Sequence, residues 1–347
     1  MKALVTGATG FIGGNVVKAL LDCGYEVRAL VRGTSNPKNI PRLPDIELAF
    51  GDLRDRNSLE KALVGCDFLF HVAAAYTFWA PEPRLIYATN VYGTANILEA
   101  ARAAGVKKIV YTSTEATIGI SNGDLGREEF WVEPNHLAGA YKRSKYQAEQ
   151  VVWQMYQTGL PVVIVNPTAP VGVGDVKPTP TGQMIVDFLN GRMPAYVNTG
   201  LNLVDVEDVA LGHVLALEKG RIGQRYILGN KNLMFREILE ILAQITGLKA
   251  PRFRIPIWLA NGAAYLDEFV VAKVAKRPPR IPVDGVKTAR TFRYHDCSKA
   301  VQELSLPQTP VEEALEKAVR WFRQNGYASR NSILIEETNF ENHIQHA

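Results

Sequence analysis

The chain of 347 residues has little cysteine and little net charge. Cys23, Cys66 and Cys297 stand far apart without CxxC spacing, and an odd number cannot close a disulfide framework. They read as buried or free thiols of a reducing compartment. Lys and Arg number 39 against 35 Asp and Glu, a formal charge of +4 that is scattered rather than blocked. That pattern argues against a nucleic-acid surface. No basic-then-apolar leader precedes the first strand-like run at Lys2, so a cytoplasmic protein is expected. The long apolar segment Ile255 to Ala275 carries Asp267, Glu268 and Lys273, which tells against a spanning helix. A helix packed on a second lobe is expected there, in preference to one lying at a membrane surface near a lipid substrate.

What the chain does have is a glycine-rich opening. An apolar strand (Lys2 to Val5) runs into Gly7, Gly10 and Gly13, then an amphipathic helix, then a second strand at Glu26 to Val31. Gly7 permits a sharp turn, Gly10 a close approach of backbone to a pyrophosphate, and Gly13 close packing of helix on strand. Free N–H groups at the helix start then face an anion. The spacing is GxxGxxG, a weak signal alone that gains weight from the strand before it and the helix and strand after it.

Strand-like runs at Lys2 to Val5, Glu26 to Val31, Ile46 to Ala49, Phe68 to His71, Lys108 to Thr112 and Val162 to Val165 alternate with helical patterns. The helices fall at Phe11 to Cys23, Ser58 to Leu63, Arg84 to Ala104 and Tyr141 to Gln157. This predicts an α/β fold: a Rossmann-type, doubly wound parallel sheet with a smaller mixed α/β substrate lobe. Residues 1–166 are expected to form the dinucleotide-binding domain, with later segments returning to it, and 167–328 mainly the substrate lobe. A Pro-, Gly- and Thr-rich loop after Asn166 leads into that lobe, with helices near Gly182 to Asn190, Val206 to Leu217, Phe235 to Ile245 and Val311 to Gln324 and a strand near Arg225 to Leu228. The tail 329–347 has no period and reads as mobile or a partner contact.

Tyr141 and Lys145 lie four apart at a helix start, on one face. A phenol with a pKa of about 10 is a poor base at neutral pH, and an adjacent ammonium stabilises its phenolate for proton exchange with a hydroxyl or carbonyl. Thr112, Ser113 and Thr114 leave the fifth strand nearby, and a hydroxyl there can bind the reacting oxygen.

With GATGFIG, GDLRD, HVAA, NVYGT, YTST and YKRSK in this order, the chain resembles an extended short-chain dehydrogenase/reductase of the NAD-dependent epimerase/dehydratase kind, from Met1 to about Tyr327. Within it, the chain is most similar to dihydroflavonol 4-reductase-like proteins and hopanoid-associated sugar epimerases. The resemblance implies catalytic Thr114, Tyr141 and Lys145 and no metal. Ser113 competes with Thr114, which better matches the family position counted back from Gly119, and side-chain alternation lets only one of them face the cleft. The implied cofactor contacts are Gly7, Thr9, Gly10, Phe11, Ile12, Gly13, Tyr141 and Lys145. Asp52 and Leu53 would flank the adenine, Ala73 and Ala74 would line the cleft, and Pro167 would begin the loop beside the nicotinamide. Asn90 would support the site, and a homodimer through helices 84–104 and 141–157 is implied.

Arg32 ends the second strand where an NAD-preferring protein has an acid, so NADP is favoured over NAD. Tyr76, Thr77, Phe78 and Trp79 follow the fourth strand, and Tyr76, Phe78 and Trp79 suit a platform for an apolar or ring-shaped substrate, with capping of the lobe interface as the alternative. Leu201 stands where many sugar-nucleotide epimerases of this superfamily carry an arginine. The leading expectation is an NADPH-dependent carbonyl reductase. A sugar or sugar-nucleotide epimerase is the alternative, and an NADPH-sensing binding protein ranks below both because this chain keeps Tyr141 and Lys145.

Overall fold

Short runs of Val, Ile, Leu and Phe too apolar to face water build the centre of the molecule. The computed structural model describes residues 1–35, 40, 46–77, 79–120, 125–274, 279 and 282–328. Six strands alternate with helices in the first half: β1 (Lys2–Thr6), β2 (Glu26–Val31), β3 (Ile46–Phe50), β4 (Phe68–His71), β5 (Lys108–Thr112) and β6 (Val162–Pro167). The helices are α1 (Phe11–Asp22), α2 (Arg56–Leu63), α3 (Pro83–Tyr87), α4 (Gly93–Ala103) and α5 (Gly139–Gln157). The second half adds β7 (Ala169–Val171), β8 (Ala195–Tyr196), β9 (Gly200–Asp205), β10 (Arg225–Leu228), β11 (Lys231–Met234) and β12 (Phe253–Arg254). Its helices are α6 (Pro180–Leu189), α7 (Val206–Glu218), α8 (Phe235–Thr246), α9 (Ile257–Asp267), α10 (Val283–Thr288) and α11 (Val311–Gln324).

Seven strands form one parallel sheet in the order β3-β2-β1-β4-β5-β6-β10, a Rossmann-type arrangement. Strand order reverses between β1 and β4, which opens a crevice at their carboxyl ends. Val16, Val17 and Leu20 of α1 and Val209 and Val214 of α7 cover one face. Leu59 and Leu63 of α2, Ile97 and Leu98 of α4 and Val152 of α5 cover the other. Because both faces are covered, the inner strands are apolar on both sides. A third cluster, with Ile185, Phe188, Leu239, Leu242, Leu315 and Phe322, makes the core of a smaller lobe around the mixed sheet β11-β9-β7.

Three details differ from the sequence expectation. The helix expected over 84–104 is interrupted by a wide π turn at Ala88–Tyr92. Inside that turn the Asn90 side chain bonds Ala75 and Ser144, contacts from distant segments. Strand β10 and helix α7, assigned by chain order to the second lobe, belong to the central sheet and its covering layer. The loop expected after Asn166 contains β7, paired with β9. Phe78 and the tail 329–347 lie outside the described residues.

Among the described residues no helix is long and apolar enough to cross a membrane. Cys66 and Cys297 are buried and Cys23 is exposed, all as free thiols.

Candidate active site

The crevice begins at the end of β1. Gly7 has φ +74°, and a Cβ there would lie 2.7 Å from the Ala73 amide nitrogen. A Cβ on Gly13 would lie 2.1 Å from the Gly7 carbonyl oxygen. Side chains at either position would fill the space between α1, β1 and the segment after β4. Gly10 caps α1 with no side-chain hydrogen bond and no acid in the first turn, so the first-turn amides suit a phosphate. The glycine loop therefore fits a dinucleotide pyrophosphate, with Thr9 in its turn and Phe11 and Ile12 lining the adjoining cavity.

The far end of a dinucleotide would reach the ends of β2 and β3. Arg32 is exposed there, its amide bonded to Ser35 Oγ at 3.1 Å. Asp52 accepts from the Arg54 guanidinium at 2.9 and 3.0 Å, and that hydrogen-bonded pair holds its pKa down at about 2. Leu53 is buried under Gly93. Ala73 packs behind Gly7, its amide bonded to Thr6 Oγ1 at 3.1 Å, whereas Ala74 lines the cavity.

Behind these residues His71 joins β1 to α4, with Nδ1 2.8 Å from Thr6 Oγ1 and Nε2 3.0 Å from Thr94 Oγ1. Burial, with the Lys145 charge second, lowers its pKa to about 3 and keeps it neutral.

A cavity of about 400 Å³ opens beyond the strand ends. Thr114, Tyr141, Lys145 and Pro167 line it. The Thr114 hydroxyl caps the short turn after β5 at 3.2 Å from the Ala116 amide and hydrogen-bonds the Tyr141 phenol. The neighbouring Ser113 hydroxyl donates instead to the buried Glu149 carboxylate. Asn166 fixes the turn from β6, donating to Thr114 O and Thr117 Oγ1 at 3.1 Å each.

Lys145 is buried, and its ammonium donates to Tyr111 Oη at 2.9 Å and Thr112 O at 2.8 Å. Burial lowers its pKa to about 7 against the opposing pull of Glu149. Burial, and then the Glu115 charge, raises the Tyr141 phenol well above its ordinary value, while the Thr114 hydrogen bond and Arg293 act the other way. Thr114 and Arg293 offset that rise only in part, and Lys145 has no share in it. The lysine is occupied by β5.

Of the aromatic platform, Tyr76 lines the cavity, its ring 4.6 Å from the Tyr141 ring. Trp79 is not among the lining residues; the Thr77 hydroxyl bonds its carbonyl at 2.5 Å and its amide at 3.2 Å. Asn90 holds the backbone under Tyr76, accepting from the Ala75 amide at 2.7 Å and donating to the Ser144 hydroxyl at 2.9 Å.

Sequence reasoning missed the charged wall of the cavity. Glu115 pairs with Arg293, and His295 Nε2 lies 3.4 Å from the same carboxylate. Burial works to raise the Glu115 pKa, but Arg293, His295 and Lys142 outweigh it and hold it at about 2. Lys142 donates to Thr288 Oγ1 at 2.8 Å, and burial lowers its pKa to about 7. Arg293 reaches the cavity because its amide pairs with the Gly200 carbonyl at 2.9 Å, next to Leu201. No local pattern announces that long-range pairing, although Lys142 follows Tyr141 directly. Met184, Val197, Leu201 and Phe235 add an apolar part to the lining, beside the hydroxyls of Thr168, Thr179, Thr181 and Thr199.

Residues 3–229 match the NAD dependent epimerase/dehydratase family. The chain belongs to that family. It is an extended short-chain dehydrogenase/reductase, an enzyme of NAD(P)-dependent oxidoreductase type. It is 49% identical over 328 residues to a Synechocystis sp. protein named "Putative dihydroflavonol 4-reductase", covering 93% of this chain and 95% of that one. It is 36% identical to "Sterol demethylase protein B" of Methylococcus capsulatus, covering 94% and 99% of the two chains. The crystal structure of a nucleoside-diphosphate-sugar epimerase from Pseudomonas aeruginosa superposes with a TM-score of 0.79 at 27% identity, over 95% of this chain and 99% of that one.

Proposed function

We propose that this family member is an NADP-dependent reductase of a carbonyl on an apolar, ring-shaped small molecule. The observation that carries the reading is Tyr141, a phenol raised above its ordinary pKa and hydrogen-bonded to Thr114 in a largely apolar cavity. A phenol that stays protonated at neutral pH is in the state a proton donor needs. The names of the Synechocystis and Methylococcus relatives both refer to polycyclic molecules, which supports the substrate class.

Bound NADPH supplies the hydride. The amides after Gly10 would hold the pyrophosphate, and Arg32 would take the 2′-phosphate through its fork of donors. Lys145 donates to Tyr111 and Thr112, and its remaining N–H would be available to a cofactor ribose hydroxyl. Thr114 donates to the substrate carbonyl oxygen, Tyr141 delivers the proton to that oxygen, and Tyr76 covers the ring of Tyr141 on the substrate side. A homodimer through α4 and α5 belongs to the same proposal and rests on the family resemblance.

The epimerase alternative needs a clamp for a diphosphate. Arg293 stands beside Leu201 but its charge is met by Glu115, which favours the reductase reading.

Calorimetric titration with NADPH and NADH tests the cofactor side of this proposal. Preference for NADPH that Arg32→Ala abolishes supports it, whereas equal affinities unchanged by Arg32→Ala overturn it.

A further inference from the structure

Helix α9 buries one side and exposes an apolar one. Ala260, Asn261 and Ala264 face the protein. Trp258 is 69% exposed, Leu259 47%, Tyr265 56% and Leu266 65%, with Val270 beyond the helix end at 47%. At 3.6 residues per turn, positions 258, 259, 262, 265 and 266 share an arc of about 120° opposite the buried residues. Soluble helices place their apolar stripe inward, so this polarity is reversed. The strand just before the helix presents Phe253, 74% exposed.

The stretch of chain that carries this face is basic in sequence. Residues 249–290 contain nine Lys and Arg against three Asp and Glu, in a chain whose formal net charge is only +4. Lys249, Arg252, Arg254 and Arg290 are exposed, and Lys287 Nζ lies 5.9 Å from the Tyr265 ring centroid. Two of the three acids sit on the protein side: Glu268 accepts from the Val283 amide at 3.2 Å, and Asp284 contacts the site where Gly139 turns.

We propose that this face docks on an anionic lipid bilayer, with α9 lying in the headgroup plane. Trp and Tyr beside aliphatic side chains suit that depth, and flanking Lys and Arg meet anionic headgroups. A second copy of the chain is disfavoured as the occupant, since pairing two such faces would bring like charges together. Helix α10 packs against α9 and contributes Gly285 and Thr288 to the cavity wall. The docked orientation therefore sets the bilayer beside the cavity, so the substrate is an amphiphile drawn from the leaflet; this last step rests on the reductase reading.

The test is co-sedimentation of the full chain with vesicles of phosphatidylglycerol and phosphatidylcholine, against pure phosphatidylcholine, at low and high salt. The expected result is salt-sensitive binding to the anionic vesicles. Trp258→Ser with Leu266→Ser, and separately Arg252→Glu with Arg254→Glu, should each lower the partition coefficient by about tenfold or more. Gel filtration without lipid should be unchanged in both variants. No sedimentation of the wild type at low salt, or equal sedimentation of the variants, overturns the proposal. A change of oligomeric state in the serine variant overturns it in favour of a protein interface. The charge variant, altered only at exposed positions, keeps the test valid if the serine variant fails to fold. No turnover is read, so this experiment fails separately from the reductase reading.

Discussion

Lys145 Nζ lies 2.9 Å from Tyr111 Oη, which ties the lysine of the site to strand β5. Tyr141, one turn earlier on α5, is tied by Thr114 to the segment leaving the same strand. One strand end thus sets the position of both side chains, and the distance between them follows from the helix.

The pH dependence follows from burial of the lysine. Its pKa is lowered to about 7, so it loses its proton as pH rises through that value and then no longer donates with a full charge. NADPH affinity is expected to fall on the alkaline side of about pH 7, with Lys145→Met showing weaker binding without that limb. Lys142 is lowered to about 7 as well, so Lys142→Met serves as the control that keeps the limb. Titration of cofactor binding against pH reads both.

Gly13→Ala is predicted to force α1 away from the β1 loop, because the added carbon would sit 2.1 Å from the Gly7 oxygen. Overpacking of this kind costs about 1–3 kcal/mol. The displaced helix start should also weaken cofactor binding more than the stability loss alone explains. Thermal unfolding with and without NADPH separates the two, since the ligand-induced rise in Tm should shrink.

The strand pattern was readable because it depends on local punctuation. Both ends of Glu26–Val31, Phe68–His71, Lys108–Thr112 and Arg225–Leu228 match the structure, with Asp67, Lys107 and Gly229 among the polar or glycine residues that flank these short runs. The π turn at Ala88–Tyr92 was not readable, because its residues suit an α-helix and its distinguishing bonds run from Asn90 to Ala75 and Ser144. Thr114, Tyr141 and Lys145, the catalytic trio proposed from spacing and resemblance, line one cavity. The wall formed by Glu115, Lys142 and Arg293 comes from three separate segments, and only the tertiary fold brings them together. Of the aromatic loop after the fourth strand, Tyr76 lines the cavity and Trp79 does not.

Glu149 deserves a stability measurement of its own, as the Arg225 Nε lies 2.9 Å from its carboxylate with both side chains buried. Arg225 also donates to the Glu128 and Thr117 carbonyls at 3.1 Å each, and its guanidinium lies 4.2 Å from the Trp131 ring centroid. Glu149→Ala leaves that cation without its counter-ion and Ser113 without its acceptor. Removing one partner of a buried pair costs about 3–5 kcal/mol. Denaturant unfolding should show a loss in that range, while removal of the exposed Arg56–Glu60 pair should leave it nearly unchanged.

The most direct measurement is NADPH oxidation by the purified enzyme with polycyclic ketones, wild type against Tyr141→Phe, with cofactor binding measured alongside. The account predicts ketone-dependent oxidation in the wild type, and a fall in kcat of about 10²–10⁴ in the variant with cofactor affinity retained. Undiminished turnover by Tyr141→Phe would contradict the proton-donor role. Retained cofactor with no net oxidation, together with inversion of a sugar nucleotide, would contradict the reductase reading itself.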